Sequence, residues 1–166
     1  MQERSTAVPI RAARLDDVPA LVELRMANAE RHVELGPSVH RRPDRDAVRR
    51  HFASRLHDGP DDLLLVAEVD GVAAGMAEVL VRPAPPDHQI LIPLRTAEVH
   101  TVVLEGRRGR GVGRALLAAA EQAARDRGVE FLFALIFAPN EEAAAFYSAA
   151  GFGDHGLLLA KRLGTA

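Results

Sequence analysis

Hydrophobic and polar residues follow two different periods along this chain, one typical of helices and the other typical of strands. Between positions 44 and 57, Val48, Phe52 and Leu56 stand four residues apart, which places them on one face of a predicted helix. Residues 96–104 instead combine β-branched residues with alternating polar and apolar positions, which predicts a strand. The pattern therefore predicts a protein that contains both helices and strands.

The same pattern, followed over the whole chain, predicts a single domain, 1–166, with about six strands and about four helices. The strands are predicted at 8–13, 62–69, 72–81, 96–104, 130–137 and 157–163. The helices are predicted after Asp16 or Asp17, at 44–57, from the segment RRGRGVGRALL to about Arg127, and at 141–150.

Turn-forming and strand-forming residues predict how these elements are arranged. Asp70 and Gly71 tolerate positive φ angles and predict a tight hairpin turn, while Gly128 predicts the end of the helix that precedes it. The proline-rich residues 82–93 predict a mobile surface loop. Residues 130–137 are almost continuously apolar, which predicts a central strand that is covered on both faces.

Composition excludes several classes of protein. The chain has 166 residues, 48% of them hydrophobic, which suits one domain with a sizeable core. Its net charge is -2, so neither nucleic acid nor a membrane surface is expected as a partner. It contains no cysteine, which excludes disulfides and thiolate nucleophiles. No histidine set has metal-ligand spacing, and no apolar segment is long enough to span a membrane, so we expect no metal and a cytoplasmic protein.

The segment from Arg107 to Leu117 concentrates positive charge and glycine where a strand gives way to a helix. The first N–H groups of a helix have no partner within it, and with the helix dipole they form an anion site. Glycine lets an anion approach the backbone, and arginine adds positive charge. The residues concerned are Arg108, Gly109, Arg110, Gly111, Gly113 and Arg114. A plain surface loop is the simpler alternative, but the pattern predicts a site for phosphate or diphosphate.

Spacing distinguishes between the known phosphate loops. A nucleotide P-loop would need lysine and then serine or threonine where Arg114 and Ala115 stand, and a dinucleotide fingerprint would need glycine at 114. The arrangement Arg108-x-x-Gly111-x-Gly113 resembles the acetyl-CoA diphosphate loop of the GNAT superfamily of N-acyltransferases. The preceding HTVVLEG and the later NEEAAAFYSAAGF, residues 140–152, resemble the same family.

This resemblance implies a single-domain GNAT-like α/β (α+β) fold, with a central, mixed, mostly antiparallel and twisted sheet flanked by helices. It also implies that acetyl-CoA is the cosubstrate and lies in a gap between the strands at 96–104 and 130–137, where pantetheine amides pair with the main chain. The cofactor-binding residues implied are Thr101, Val102, Val103, Arg108, Gly109, Arg110, Gly111, Val112, Gly113, Arg114, Asn140 and Tyr147.

Tyr147 is the expected general acid, because the family assigns this role to the matching tyrosine. A phenol with a pKa of about 10 would protonate a thiolate with a pKa of about 8.5 at a cost of roughly 2 kcal/mol, which is compatible with catalysis. The alternative is a tyrosine that only packs at the edge of the core. Asn140 either binds pantetheine or caps the helix that begins at Glu141; the sequence leaves both open.

The base that accepts a proton from the attacking ammonium is expected on the strand at 96–104. Relatives often carry a glutamate there, but the most closely aligned position holds His100, and Glu98 lies two residues earlier on the same predicted strand face. Deprotonation of a lysine-like ammonium costs about four pKa units with histidine and about six with glutamate, which favours His100. Glu98, or a water molecule that relays the proton, remains an alternative, as does a role for both residues in orienting substrate.

We therefore expect an enzyme that transfers acetyl from acetyl-CoA to a small-molecule or peptide primary amine. Without cysteine, direct attack in a ternary complex is expected. A non-catalytic acyl-CoA-binding or regulatory domain is the alternative. The segment after Phe152 has room for one strand where many relatives have a hairpin, so we expect a homodimer in which edge pairing completes the sheet.

Overall fold

The computed structural model describes residues 8–58 and 63–164. The strands are β1 (Ile10–Ala12), β2 (Leu63–Val69), β3 (Val72–Val81), β4 (Thr96–Val103) and β5 (Phe131–Phe133). The helices are α1 (Val18–Leu35), α2 (Arg45–Asp58), α3 (Val112–Asp126) and α4 (Glu141–Ala149). Short 3-10 turns at Leu15–Asp17 and Glu105–Arg107 precede α1 and α3. The mixed α+β class predicted from the sequence is confirmed.

The strands form one sheet in chain order, β1 to β5. The first four strands pair antiparallel, and β5 pairs parallel to β4. Asp70 and Gly71 connect β2 to β3 with φ angles of 54° and 74°, which confirms the predicted hairpin turn. The β4–β5 ladder begins at Thr96 and ends at Glu98, whereas β4 itself continues to Val103. Beyond Glu98, the β5-facing edge of β4 is therefore open.

Helices cover both faces of the sheet and bury two separate cores. Along β3, Ala77 and Val79 face α3 and join Leu116 of that helix in one core. On the opposite face, Met76 joins Phe52 of α2 in the other core, together with apolar residues of α1. Full burial of a large apolar side chain stabilises the fold by about 1.5–3 kcal/mol relative to leaving it exposed. The apolar face of each helix therefore packs against the sheet.

Two predicted strands differ from the observed structure. Within residues 130–137, only Phe131–Phe133 form a strand, and it is an edge strand rather than the long central strand predicted. Only one face of this segment is covered, because Leu132, Ala134 and Ile136 pack on the core while Leu135 is 61% exposed. Residues 157–163 form no strand, because no described segment provides them with a hydrogen-bonding neighbour. The sheet of the described residues therefore has five strands instead of about six.

The first long helix, α1, begins directly after Asp17, as predicted, but the Asp17 side chain does not cap it. The Asp17 carboxylate does not bind an N–H group of α1; it accepts the Arg14 N–H at 2.7 Å and two bonds from the Arg11 guanidinium. Pro19, in the first turn of α1, has no N–H to satisfy. The Arg11 hydrogen bond lowers the pKa of Asp17, so this carboxylate ties the end of β1 to the start of α1. None of the helices in the described part of the chain is both long and apolar enough to cross a membrane.

Candidate active site

A cleft with a volume of about 1030 Å³ lies beside the open edge of β4. Its walls come from the second half of α1, the end of β4, the loop that follows it, and helices α3 and α4. Thr101, Val102 and Val103 line the cleft at the strand, and Tyr147 and Asn140 line it from α4 and the residue before it. Residues from both sequence segments that resemble the acyltransferases therefore meet at one cavity.

Residues 107–114, here called the glycine loop, form one end of this cleft. Gly109 and Gly111 have φ angles of 73° and 77°, in the left-handed region that other residues rarely adopt. A Cβ at either position would meet no atom within 4 Å, so this backbone faces open space. Gly111 is the N-cap of α3, and its carbonyl accepts the Ala115 N–H as the helix begins. The first N–H groups of α3, including those of Val112 and Gly113, lack acceptors within the helix, as an anion site requires.

Gly113 is needed for a different reason from Gly109 and Gly111, because its φ angle lies outside the left-handed region. A Cβ there would lie 3.2 Å from the Phe146 ring of α4 and 3.6 Å from the Val103 side chain. Gly113 thus lets α3 approach β4 and α4 closely where the three elements meet.

The arginines of the glycine loop have different environments. Arg108 pairs with Glu142 of α4 at 3.2 Å, and its Nε donates to the Val103 carbonyl at 3.3 Å. Arg107 pairs instead with Asp70, at the β2–β3 turn. Arg110 and Arg114 are exposed and pair with no other described residue. These two side chains can turn toward an anion without losing an existing ion pair.

Tyr147 reaches from α4 into the gap between β4 and β5. Its side chain is 7% exposed and packs edge-on against Phe146 and Phe152, with ring centroids 5.0 and 5.2 Å away. The Thr101 N–H donates to the Tyr147 Oη at 3.1 Å, which leaves the phenol's own O–H free to donate. Burial raises the pKa of Tyr147 above its ordinary value, and the Thr101 hydrogen bond only partly offsets this effect.

Main-chain groups on the open edge of β4 suit an extended ligand that carries amides. The Thr96 carbonyl accepts the Arg82 N–H, and the Leu104 N–H donates to the Ala74 carbonyl, so the even-numbered residues of β4 direct their main-chain groups toward β3. By strand alternation, Val99, Thr101 and Val103 direct their N–H and C=O groups toward the open edge. The Thr101 Oγ1 is buried and has no hydrogen-bond partner among the described residues. Buried polar groups are usually paired, so this hydroxyl fits a site that a ligand completes.

Asn140 has the capping role that the sequence left open. Its Oδ1 accepts the Ala143 N–H at 3.2 Å, at the first turn of α4. The same residue lines the cleft. Its side-chain N–H groups are not used by this cap, so capping and contact with a ligand are compatible.

His100 and Glu98 lie on the opposite face of β4 and contact each other. The His100 Nε2 is 2.8 Å from the Glu98 Oε1, and Arg82 also binds the Glu98 carboxylate. Glu98 is largely buried, with 12% of its side chain exposed, whereas His100 is 40% exposed. Neither lines the large cleft. The two residues proposed as alternative bases therefore lie in direct contact, on the α1–α2 side of the strand.

A buried carboxylate lies directly beside this pair. Glu78 is the cross-strand neighbour of His100 and is 3% exposed. Its carboxylate binds Arg25 of α1 and Arg55 of α2, so its charge is compensated by guanidinium groups from both helices. This network fixes the helices over the face of the sheet that carries His100.

Two charged residues of the cleft wall, Arg31 of α1 and Glu142 of α4, are not indicated by any sequence pattern. They pair across it at 3.4 Å, and Glu142 also binds Arg108. They are more than a hundred residues apart, and each looks like an ordinary charged residue on a helix surface. No local sequence pattern could therefore have predicted their contact. No group of three or more potential metal ligands occurs among the residues that the structure describes.

Comparison with known proteins assigns the family. The family model named acetyltransferase (GNAT) family matches residues 22–152, which include the glycine loop and the segment around Tyr147. The chain therefore belongs to the GNAT acetyltransferase family, as the sequence resemblance predicted. A search of curated protein sequences gave no significant match.

Solved structures confirm the fold. A mutant of the BH1408 protein of Bacillus halodurans is similar with a TM-score of 0.85 and 20% identity, over 93% of this chain and 99% of that one. A "predicted acetyltransferase with acetyl-CoA" from Clostridium acetobutylicum has a TM-score of 0.71 and 18% identity, over 93% and 96% of the chains. The ribosomal-protein-alanine N-acetyltransferase of Brucella melitensis has a TM-score of 0.67 and 28% identity, over 90% and 86%.

The environment of Tyr147 predicts its titration. Because burial disfavours the phenolate, the folded protein should form tyrosinate only at a pH above the ordinary pKa of about 10. The chain contains one tyrosine and no tryptophan, so tyrosinate absorbance during an alkaline titration reports this residue alone.

The urea-unfolded chain provides the reference for that titration and should titrate at the ordinary value. Circular dichroism at each pH checks that the protein remains folded. A folded-state midpoint equal to or below that of the unfolded chain would contradict the burial of this phenol.

Proposed function

We propose that this protein transfers the acetyl group of acetyl-CoA to a primary amine by direct attack within a ternary complex. The observation that carries the proposal is the open edge of β4, where the Tyr147 Oη meets the Thr101 N–H in a cleft that ends at the glycine loop. This arrangement combines a main-chain surface for an extended amide, a proton donor and an anion site. The family membership and the similarity to an acetyltransferase described with acetyl-CoA support it.

The cosubstrate would occupy the cleft along its length. Its diphosphate would accept hydrogen bonds at the start of α3, from N–H groups of the segment 109–114, with added charge from the arginines at 108, 110 and 114. Its pantetheine arm would pair with the Thr101 carbonyl and the Val103 N–H, because the Thr101 N–H already bonds to Tyr147 and the Val103 carbonyl to Arg108. The orphaned Thr101 Oγ1 would then gain a partner. Val102 and Asn140 would contact the arm from the walls of the cleft.

Tyr147 would act as the general acid. As the amine nitrogen bonds to the acetyl carbon, the bond between that carbon and sulfur breaks, and the departing thiolate takes the phenolic proton. The raised pKa of Tyr147 keeps the phenol protonated at neutral pH, so the proton that it donates is present in each catalytic cycle. The same shift makes the transfer to a thiolate somewhat more costly than the roughly 2 kcal/mol of an unperturbed tyrosine.

His100 would act as the base, with Glu98 as the residue that positions it. With its Nε2 against the Glu98 carboxylate, His100 would use its Nδ1 to accept a proton from the ammonium, directly or through a water molecule. The Glu98 carboxylate is already bound by Arg82 as well, which makes it the less available acceptor. Acid and base then lie on opposite faces of β4, so the amine would enter from the α1–α2 side.

The acceptor is proposed only as a class, a small-molecule or peptide amine. Glu30 and Glu34 line the cleft and could attract a cationic amine, but they pair with Arg42 and Arg31 respectively. They therefore supply little free negative charge. The similar Brucella melitensis structure is named a ribosomal-protein-alanine N-acetyltransferase, which supports the inclusion of peptide amines in the panel of acceptors to be tested.

Calorimetry with CoA and a free-thiol assay with acetyl-CoA and a panel of amines test the proposed function together. The parent protein should bind CoA and release it as free thiol when an acceptor is present. Gly111→Ala should weaken CoA binding by about tenfold or more, because alanine disfavours the φ of 77° that aims the first N–H groups of α3.

Gly106→Ala is the matched control for this experiment. Gly106 lies in the same loop and has open space around it, but its φ is outside the left-handed region, so CoA binding should be unchanged. Failure of the parent protein to bind CoA would contradict the proposal as a whole. Binding without turnover of any amine would instead favour the non-catalytic acyl-CoA-binding domain.

Replacement of Tyr147 by phenylalanine tests the general acid. The ring contacts with Phe146 and Phe152 remain, so CoA binding should change little, while kcat should fall by about 100-fold because the thiolate leaves unprotonated. Steady-state kinetics at saturating substrates and calorimetry with CoA separate these two effects. An unchanged kcat would assign Tyr147 a packing role only.

The pH dependence of kcat/KM tests the pair on the other face of β4. In the parent protein, kcat/KM should rise with pH, because a histidine base works only when it is unprotonated. His100→Gln should remove this rise and lower kcat/KM by about 100-fold.

Glu98→Gln distinguishes a positioning residue from a base. It should lower kcat/KM less than His100→Gln does and should retain the rise of kcat/KM with pH, because the histidine is still present. A profile in which Glu98→Gln loses the rise while His100→Gln keeps it would transfer the role of base to Glu98.

A further inference from the structure

The apolar segment 131–137 is divided between the two faces of the sheet. Its even-numbered residues pack on the core beside α3. Because side chains alternate along an extended segment, Phe133, Leu135 and Phe137 point to the other face, where α1, α2 and His100 lie. These three residues are here called the apolar wall. The wall is an apolar surface that the core on the α3 side does not use.

The apolar wall begins beside the proposed base. Phe133 is the register partner of Glu98, in the last pair of the β4–β5 ladder. The Arg82 guanidinium binds the Glu98 carboxylate and also lies over the Phe133 ring, 5.7 Å from its centroid, so this ring and the carboxylate share one face. The next side chains on that face are His100 and Leu135, which therefore stand on opposite sides of the gap between the two strands.

The loop that follows α1 holds the far end of the wall in place. The His40 ring packs edge-on against that of Phe137, with 4.7 Å between the centroids. A Cβ on Gly36 would lie 2.7 Å from the Phe137 Cζ, so the backbone of the loop rests directly on the ring. Leu135 is 61% exposed, whereas Phe133 and Phe137 are half-buried. The wall is therefore a fixed apolar surface with one open position, at Leu135.

The charges around His100 do not suit an acceptor that carries a second cation. Glu78 already binds guanidinium groups from α1 and α2, and Glu98 already binds Arg82. Neither carboxylate beside the proposed base is therefore free to bind a further ammonium. A second ammonium placed on the wall instead would lose part of its hydration against apolar side chains, which is unfavourable.

We infer that the acceptor is a monoamine with an apolar chain or ring, an inference that rests on the proposed acetyl transfer. Its nitrogen gives up a proton to His100 and bonds to the acetyl carbon, and CoA leaves as the thiol. Its apolar part covers Leu135 and extends toward Phe137, where burial of hydrocarbon stabilises the complex. The wall therefore favours alkylamines and arylalkylamines over polyamines and aminoglycosides.

Hexylamine and cadaverine are matched probes for this inference. The two molecules have the same length, and a methyl group of hexylamine replaces the second ammonium of cadaverine. In the free-thiol assay with acetyl-CoA, the parent protein should favour hexylamine by about tenfold or more in kcat/KM per amine group. Along the series ethylamine, butylamine and hexylamine, kcat/KM should rise by about three- to fourfold for each methylene that contacts the wall.

Leu135→Asp places a carboxylate at the open position of the wall. It should lower kcat/KM for hexylamine by about tenfold or more and raise kcat/KM for cadaverine, because the new carboxylate pairs with the second ammonium. Val72→Asp is the matched control, since Val72 is also apolar and 51% exposed but lies at the β2–β3 turn. It should leave both values unchanged. CoA binding should be the same in both variants, and circular dichroism checks that each is folded.

The two proposals fail in different ways. A parent protein that prefers cadaverine, an alkylamine series without a rise, or a Leu135→Asp variant with unchanged selectivity would overturn this inference and leave acetyl transfer standing. If no amine is acetylated, the proposed function fails, and calorimetry with the two probes in the presence of CoA still tests the wall. Hexylamine should then bind more tightly than cadaverine, and Leu135→Asp should reverse that order; any other order, or no binding, would overturn the inference.

Discussion

The short parallel ladder between β4 and β5 determines the rest of this structure. It holds the two strands together from Thr96 to Glu98 and then ends, while β4 continues to Val103. A longer ladder would satisfy the main-chain groups of Thr101 and Val103 internally and would leave no room for the Tyr147 ring. The cleft, the unpaired strand edge and the position of the phenol all depend on where this pairing stops.

The same divergence separates the two sides of the proposed chemistry. Tyr147 arrives from α4 on the α3 side of β4 and meets its open edge, while His100 and Glu98 face α1 and α2. Side chains of successive strand residues point to opposite faces of the sheet, so those of Thr101 and His100 lie in different environments although the two residues are adjacent in sequence. The strand thereby separates a buried site suited to an acyl carrier from a more exposed face suited to an acceptor.

Local signals in the sequence were sufficient where the structure is local. The four-residue spacing of Val48, Phe52 and Leu56 identified the buried face of α2, and the positive φ angles at Asp70 and Gly71 could be predicted from residue type. Strand alternation already placed Glu98 and His100 on one face, so their contact could have been inferred rather than treated as a choice between two bases.

Other features depend on tertiary contacts that no local pattern contains. The apolar run at 130–137 is compatible with either a central or an edge strand, and only the neighbours of β5 distinguish the two. The leucines at 157–159 favour a strand, but these residues make no backbone hydrogen bond with any strand in the described part of the chain. Likewise, the pairing of Arg31 with Glu142 requires α1 and α4 to be folded against the same cavity.

The position of Glu142 affects how ligand binding would respond to ionic strength. Its carboxylate already neutralises part of the charge of Arg108 and Arg31, so at these two arginines a diphosphate would exchange one anion for another, which is not so at Arg110 and Arg114. Added salt weakens the ion pairs of the free cleft as well as those of the complex. At Arg108 and Arg31 the electrostatic gain on binding would therefore be a difference between two paired states, and the affinity for the proposed carrier would depend less steeply on salt than the number of arginines around the cleft suggests.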